Sequence, residues 1–100
     1  MVMKHLFVVI RTYGPPYARD LPLEEQQDWE PHRAFMNALQ ADGLVLLGGP
    51  LEEREDVLLI LRAKNKAEIE RRLAHDPWTK SGILSTTRIS RWHLRIGHVA

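Results

Sequence analysis

Apolar and polar positions along the chain divide it into six predicted elements. Strands are predicted where apolar residues run together, and helices where apolar residues recur every three or four positions. In chain order, the pattern predicts a strand at 3–12, a helix at 28–42, strands at 44–47 and 57–61, a helix from residue 65, and a strand at 85–96.

Residues at the ends of the two predicted helices support this division. Asp28 is a candidate N-cap of helix one, which would place Pro31 in the first turn, where the missing N–H costs little. Asn65, followed three residues later by Glu68, resembles a capping box at the start of helix two. Pro77 is expected to end helix two.

The order βαββαβ is that of an α+β, ferredoxin-like sandwich, an antiparallel four-stranded sheet with two helices on one face. The first three strands are apolar at successive positions, so large apolar side chains must point to both faces of the sheet. Two helices cover only one face, and exposed apolar surface of this extent favours burial against a second copy. A face-to-face homodimer is therefore expected. The alternative is a monomer whose loop 13–23 and C-terminus cover the second face.

Composition narrows the class of protein. One hundred residues fit a single domain, 1–100, and the absence of cysteine excludes disulfides and thiolate chemistry. No apolar stretch is long enough to cross a membrane and no signal peptide is evident, so a cytoplasmic protein is expected. The net charge of +1 argues against nucleic-acid or membrane partners, and the five histidines show no metal-ligand spacing.

His32 is the first candidate for chemistry. It precedes Phe35 and Met36 by three and four residues, which places it on the buried side of helix one near the N-terminal end. Burial and the helix dipole both disfavour a protonated imidazole there, so His32 is a candidate general base. The alternative is a structural histidine bonded to the backbone.

Asp76, which Pro77 holds in an extended conformation, is a candidate partner for His32. A carboxylate beside an imidazole fixes the tautomer and stabilises the cation that forms on proton transfer. The alternative is a simple Asp-Pro turn that ends a helix.

Arg91 and Gly49 are candidate substrate contacts. Arg91 is expected to share a face of strand four with His93 and Arg95, where cations would bind an anionic group if that face lines a cleft. On a sheet edge, the same charges would instead prevent edge-to-edge pairing. Gly49, within 48–50, either allows close backbone approach to an oxyanion or belongs to a tight turn.

Three short motifs carry a family resemblance: His-Arg-Ala-Phe-Met at 32–36, Gly-Gly-Pro-Leu at 48–51 and Asp-Pro-Trp at 76–78. With these motifs in this order, the chain resembles over about residues 3–96 the YCII-related proteins, dimeric α+β barrel domains akin to muconolactone isomerase-like folds. The resemblance implies a dimer that encloses a barrel, with His32 and Asp76 as the catalytic pair in a cleft. Loop 13–23 is longer than in short family members, and strand four shows no matching motif.

The resemblance connects several relatives with the breakdown of small cyclic or aromatic compounds. The leading hypothesis is thus a cofactor-independent enzyme of lyase or isomerase type for a small carboxylated, anionic or aromatic molecule. His32 would abstract a proton, Asp76 would orient the imidazole and Arg91 would hold an anionic group. The alternative is a small-ligand binding or accessory protein with no activity. Nucleic-acid binding by the basic C-terminal region is disfavoured by the low net charge.

Overall fold

The structure, a computed structural model, describes residues 3–99 and has the predicted α+β ferredoxin-like order. It comprises β1 (His5–Tyr13), a 3₁₀ turn (Leu23–Glu25), α1 (Trp29–Ala41), β2 (Val45–Pro50), β3 (Asp56–Ala63), α2 (Lys66–Leu73), α3 (Pro77–Ser81) and β4 (Leu84–Arg91). The strands lie in the order β2-β3-β1-β4, and all neighbours are antiparallel. Residues 1, 2 and 100 of the expected single domain lie outside the described residues.

The two faces of the sheet differ in what covers them. Phe7 and Val9 of β1 are buried and pack with Leu39 of α1 and with Ile69 and Leu73 of α2. Both helices therefore cover the same face, as predicted. The opposite face, called here the open face, carries apolar side chains of the central strands β1 and β3. Ile60 is buried, and four more are partly exposed: Leu6, Val8, Ile10 and Leu58.

The helix ends follow the predicted chemistry in most respects. Asn65 caps α2 by accepting a hydrogen bond from the backbone N–H of Glu68 at 2.9 Å, which confirms this cap. Pro31 lies in the first turn of α1, also as predicted. Asp28 occupies the N-cap position, but its side chain makes no capping bond because its backbone is left-handed, with φ at 61°.

Pro77 does more than end helix two. α2 ends at Leu73, and Pro77 opens a third, short helix whose N-cap is Asp76. Proline suits this first position because its φ is already helical and its missing N–H would have no partner there. The prediction of two helices was therefore incomplete, and the extended conformation of Asp76 is that of an N-cap.

Two strands end at places that the sequence did not predict. β2 continues through the Gly48-Gly49-Pro50 segment, which was one candidate for a tight turn. Glycine and proline are tolerated there because β2 is an edge strand, so one side of its backbone needs no partner. β4 ends at Arg91 because its neighbour β1 begins at His5, so little strand remains for residues 92–96 to pair with.

Loop 13–23 packs on the side of the sheet that carries the helices. Tyr17 and Leu23 pack against Trp78 and Leu84. The buried amide of Gln26 fixes the loop, since it bonds the backbone N–H and carbonyl of Ala18 at 2.9 and 2.7 Å. The loop is therefore held in a fixed position beside α3.

Within residues 3–99, no helix has the length and apolar character that crossing a membrane would require.

Candidate functional site

A cavity of about 470 Å³ lies between α1, α3 and the helix-covered face of the sheet. Most of its wall is apolar. The side chains with polar groups that line it include Arg11, Tyr13, His32, Asn37 and Gln40, and the indole rings of Trp29 and Trp78 complete one side. A largely apolar cavity of this size with a few convergent polar groups is typical of a small-molecule site.

The structure brings His32 and Asp76 together at this cavity. Nδ1 of His32 lies 2.8 Å from Oδ1 and 3.0 Å from Oδ2 of Asp76. Asp76 is fully buried, whereas His32 retains 8% of its accessible surface at the cavity wall. Helix α1 supplies the imidazole, and the N-cap of α3 supplies the carboxylate.

Arg11, which was not among the residues predicted from the sequence, completes the cluster. Its Nη1 lies 2.7 Å from Oδ2 of Asp76, and its Nη2 donates to the hydroxyl of Thr79. Arg11 is fully buried because it lies two residues after Val9 and four after Phe7, so that all three side chains point to the helix-covered face of β1. The sequence contains this signal: Arg11 directly follows the apolar run 6–10, and the two-residue period of a strand places it on the same face as the core positions of that run.

The pKa of Asp76 lies below its ordinary value. Burial alone would raise it, but hydrogen bonds from His32 and Arg11, the His32 charge and the backbone N–H of Trp78 together outweigh that effect. Asp76 is thus ionised near neutral pH and can only accept hydrogen bonds. The neutral form of His32 must then donate from Nδ1, which leaves the lone pair on Nε2.

Aromatic rings hold the imidazole in place. The rings of His32 and Trp78 are stacked, with centroids 3.9 Å apart and planes 6° apart. Trp78 is itself fixed, because its indole Nε1 donates to the backbone carbonyl of Gln27 at 2.7 Å. Nε2 of His32 makes no hydrogen bond with any residue in the range 3–99, and it is not a buried atom. It is therefore free to meet a ligand in the cavity.

Tyr13 supplies a second polar group to the wall. It lies two residues after Arg11 on the same face of β1, and its ring stacks on Tyr17 with centroids 3.9 Å apart. Burial, together with the charge and hydrogen bond of Tyr17, raises the pKa of Tyr13 to about 12. Its hydroxyl therefore stays protonated around neutral pH, and its oxygen can still accept a hydrogen bond.

The two predicted substrate contacts have different positions. Gly49 borders the cavity from β2. Arg91 is exposed at the last position of β4, and it does not line the cavity in the described chain. His93 and Arg95 lie beyond the end of the strand, so the predicted row of three cations on one strand face is wrong. Within residues 3–99, no three histidine, cysteine or acidic side chains are placed to hold a metal ion.

Comparisons with known proteins place this chain in a family. No protein of curated function matches the chain. Among solved structures, the fold is similar to that of 5-chloro-2-hydroxyhydroquinone dehydrochlorinase from Burkholderia phenoliruptrix, in complex with 2,5-dihydroxybenzoquinone. The TM-score is 0.66 at 25% sequence identity, over 88% of this chain and 93% of that one. The model of the YCII-related domain matches residues 6–93. This chain therefore belongs to the YCII-related domain family.

Proposed function

We propose that the protein is a small-molecule enzyme of lyase or isomerase type, with His32 as general base and Asp76 as the residue that orients it. The observation that carries this proposal is the 2.8 Å contact between Nδ1 of His32 and Oδ1 of Asp76 beside the cavity. No cofactor is part of the proposal, since proton abstraction needs only a positioned base.

The chemistry follows from the arrangement of charges. Nε2 of His32 takes a proton from the substrate, and the electron pair that is left behind expels a leaving group or shifts within the substrate. The imidazolium that forms is stabilised by the ionised Asp76, to which its Nδ1–H remains bonded. Asp76 and Arg11 carry opposite charges, so the form of the cluster in which His32 can act as a base has no net charge.

The walls of the cavity favour a planar cyclic substrate. The stacked pair of His32 and Trp78, with Trp29 beside it, offers flat faces to a ring. The oxygen of Tyr13 can accept a hydrogen bond from a hydroxyl on the ring, and Gly49 lets the substrate approach the backbone of β2. The structural relative whose name gives a chlorinated hydroxyhydroquinone as substrate supports the same class. We therefore propose hydroxylated or halogenated aromatic compounds as the substrate class.

The test is turnover of a panel of hydroxylated and chlorinated aromatics and small lactones, followed by ring absorbance and chloride release. We expect His32→Gln to lower kcat by about 10²–10⁴-fold, the usual contribution of a general base. Asp76→Asn is expected to lower kcat as well, because an amide can present an N–H to Nδ1 and reverse the tautomer.

His75→Gln is the matched control. His75 is exposed and adjacent in sequence to Asp76, so its loss should leave both kcat and the fold unchanged. Equal turnover by His32→Gln and wild type would contradict the proposal. Ligand-dependent thermal stabilisation of the wild type without turnover would favour the binding-protein alternative instead.

We further propose that the active form is a homodimer that buries the open face. Val8 lies opposite Ile60, and Ile10 opposite Leu58, so apolar side chains form a continuous strip across the two central strands. Loop 13–23 packs on the other side of the sheet and does not shield this strip, whereas the C-terminal segment reaches the edge of the open face, where Arg62 donates a hydrogen bond to the carbonyl of Val99. Burial against a second copy would gain about 25 cal/mol for each Å² of apolar surface removed from water.

The cytoplasmic location stays a prediction from the sequence.

A further inference from the structure

We propose that Arg11 is a positioning residue that holds the Asp76 carboxylate at the angle that fixes the tautomer of His32. In this arrangement neutral His32 carries its proton on Nδ1, and Nε2 presents a lone pair to the cavity. The consequence for turnover rests on the proposed function. The tautomer itself is a property of the folded protein and can be measured without a substrate.

The geometry around Asp76 carries the proposal. A carboxylate can rotate about its Cβ–Cγ bond unless both oxygens are held. Here Oδ1 accepts from the backbone N–H of Trp78 at 3.0 Å, while Oδ2 accepts from Nη1 of Arg11 at 2.7 Å. These two donors come from different elements, α3 and β1, and they approach different oxygens. His32 then finds both oxygens at fixed positions.

Arg11 is itself held in place. Its Nη2 donates to the hydroxyl of Thr79, and that hydroxyl donates onward to the carbonyl of Leu73 at 2.8 Å. Because the Thr79 proton is committed to Leu73, the oxygen lone pairs remain for the guanidinium. The pairing of β1 with β4 also shifts between Ile10 and Arg11. The extra residue, Thr87, lies on β4, so β1 runs past Arg11 without a bulge and keeps its side chain on the helix-covered face.

Stability alone does not account for Arg11. Its Nε is buried and has no hydrogen-bond partner among residues 3–99, which is a cost in free energy that the fold retains. A buried ion pair is in general weak evidence for stability, since apolar residues of similar volume often replace one without loss. The N-cap of α3 needs only the hydrogen bond that the backbone N–H of Trp78 donates to Asp76, and it does not require a cation. What Arg11 adds is the hydrogen bond to Oδ2 that holds the Asp76 carboxylate in a fixed orientation.

The experiment is a two-dimensional ¹H–¹⁵N spectrum of the histidine rings in the full chain at about pH 8, where an ordinary imidazole is neutral. His32→Gln assigns the His32 signals among the five histidines. We expect wild-type His32 to show the form protonated on Nδ1. In Arg11→Met we expect that form to lose at least half of its population to the form protonated on Nε2. Asp76→Asn is the positive control, with an almost complete reversal.

Two further variants separate position from charge. Arg11→Lys keeps the charge but offers no fork to Asp76 and Thr79, so it should restore the wild-type tautomer only in part. Arg33→Met is the matched control, because Arg33 is an exposed arginine of α1 that forms an ion pair with Glu30 at the surface. It should leave the His32 signals unchanged. If Arg11→Met does not fold, Thr79→Val gives the same readout, since it removes the group that anchors Nη2.

An unchanged His32 tautomer in a folded Arg11→Met or Thr79→Val variant would overturn the inference. If a substrate of the wild-type protein is found, Arg11→Met should lower kcat for it by about tenfold or more and change KM less than twofold. This is the pattern expected because Arg11 acts on the base and not on substrate binding. If wild type shows the Nδ1–H form and Arg11→Met loses it, but no ring compound is turned over, the proposed function fails and the role of Arg11 stands.

Discussion

The Asp76 carboxylate serves two purposes that the sequence presented as alternatives. As a local signal, Asp-Pro marks a turn, and the structure shows that Asp76 does cap α3 through the N–H of Trp78. The same side chain bonds His32 and Arg11. Because the cap uses only one lone pair of one oxygen, the remaining acceptor capacity is available to the cavity cluster. Local structure and a role in chemistry are therefore compatible at this residue.

At the same scale, Tyr13 gives a prediction for alkaline pH. Because burial raises the pKa of Tyr13 to about 12, its neutral form stabilises the fold. That contribution is fully present below the unfolded pKa of about 10 and is lost as the pH rises through the folded value. We expect the free energy of unfolding to decline between about pH 10 and 12, measured by urea titration.

The two tyrosines of the chain allow a direct check of this prediction by phenolate absorbance. Tyr13→Phe should remove the ionisation near pH 12 and reduce the alkaline loss of stability. Tyr17→Phe is the control and should retain a raised pKa for Tyr13, because burial is its largest cause. A single ionisation near pH 10 for Tyr13 would show that the hydroxyl is not desolvated.

The sequence indicated part of the site. His32 and Asp76 were chosen from helix position and from the family resemblance, and the structure places them in contact. Their distance was not predictable from local patterns, since 44 residues separate them. Arg11 was missed because a charged residue after an apolar run resembles the exposed end of a strand. Only its tertiary partners, Asp76 and Thr79, make its burial possible.

At the scale of elements, the edge strand β2 contains two adjacent glycines, Gly48 and Gly49, whose surroundings differ. A Cβ atom on Gly48 would lie 2.6 Å from Cδ2 of Leu59, a core residue that also lines the cavity. A Cβ on Gly49 would meet nothing within 4 Å. Adjacent glycines therefore have different tasks: Gly48 lets β2 approach the core, and Gly49 leaves open space beside the cavity.

This contrast predicts opposite effects of two alanine substitutions. Gly48→Ala should destabilise the fold by about 1–3 kcal/mol, because Leu59 must move within a packed core. Gly49→Ala should be neutral, or stabilising by up to about 1 kcal/mol, because it restricts the unfolded chain without a clash. Chemical denaturation of both variants measures the difference. Equal destabilisation by the two substitutions would show that the space around β2 is not as described.

The predicted helix and strand boundaries agree with the structure where residues nearby in sequence determine them, and they differ where a neighbouring strand from elsewhere in the chain determines them. The cap of α2 at Asn65 depends on residues within three positions, and it was predicted correctly. The end of β4 at Arg91 depends on where β1 begins, which is information from the other end of the chain. The third helix was missed because Asp76-Pro77 was interpreted as an end and not also as a beginning.

At the scale of the whole molecule, the open face leads to a prediction about assembly. Light scattering after gel filtration should give wild type a mass of twice 11.6 kDa. Val8→Glu places a charge in the centre of the open face and should yield a folded monomer, because a charge cannot be buried unpaired at an interface. Ala67→Glu, an exposed position on α2, is the control and should remain dimeric. A monomeric wild type at micromolar concentration would contradict the homodimer.

The cluster of Arg11, Asp76 and His32 also links chemistry to the integrity of the whole chain. Its members come from β1, α1 and α3, and 65 residues separate Arg11 from Asp76. No fragment and no partly folded intermediate that lacks one of these elements can contain the assembled group. Loss of the proposed activity on heating should therefore coincide with global unfolding, and the activity that remains should be proportional to the fraction of folded molecules.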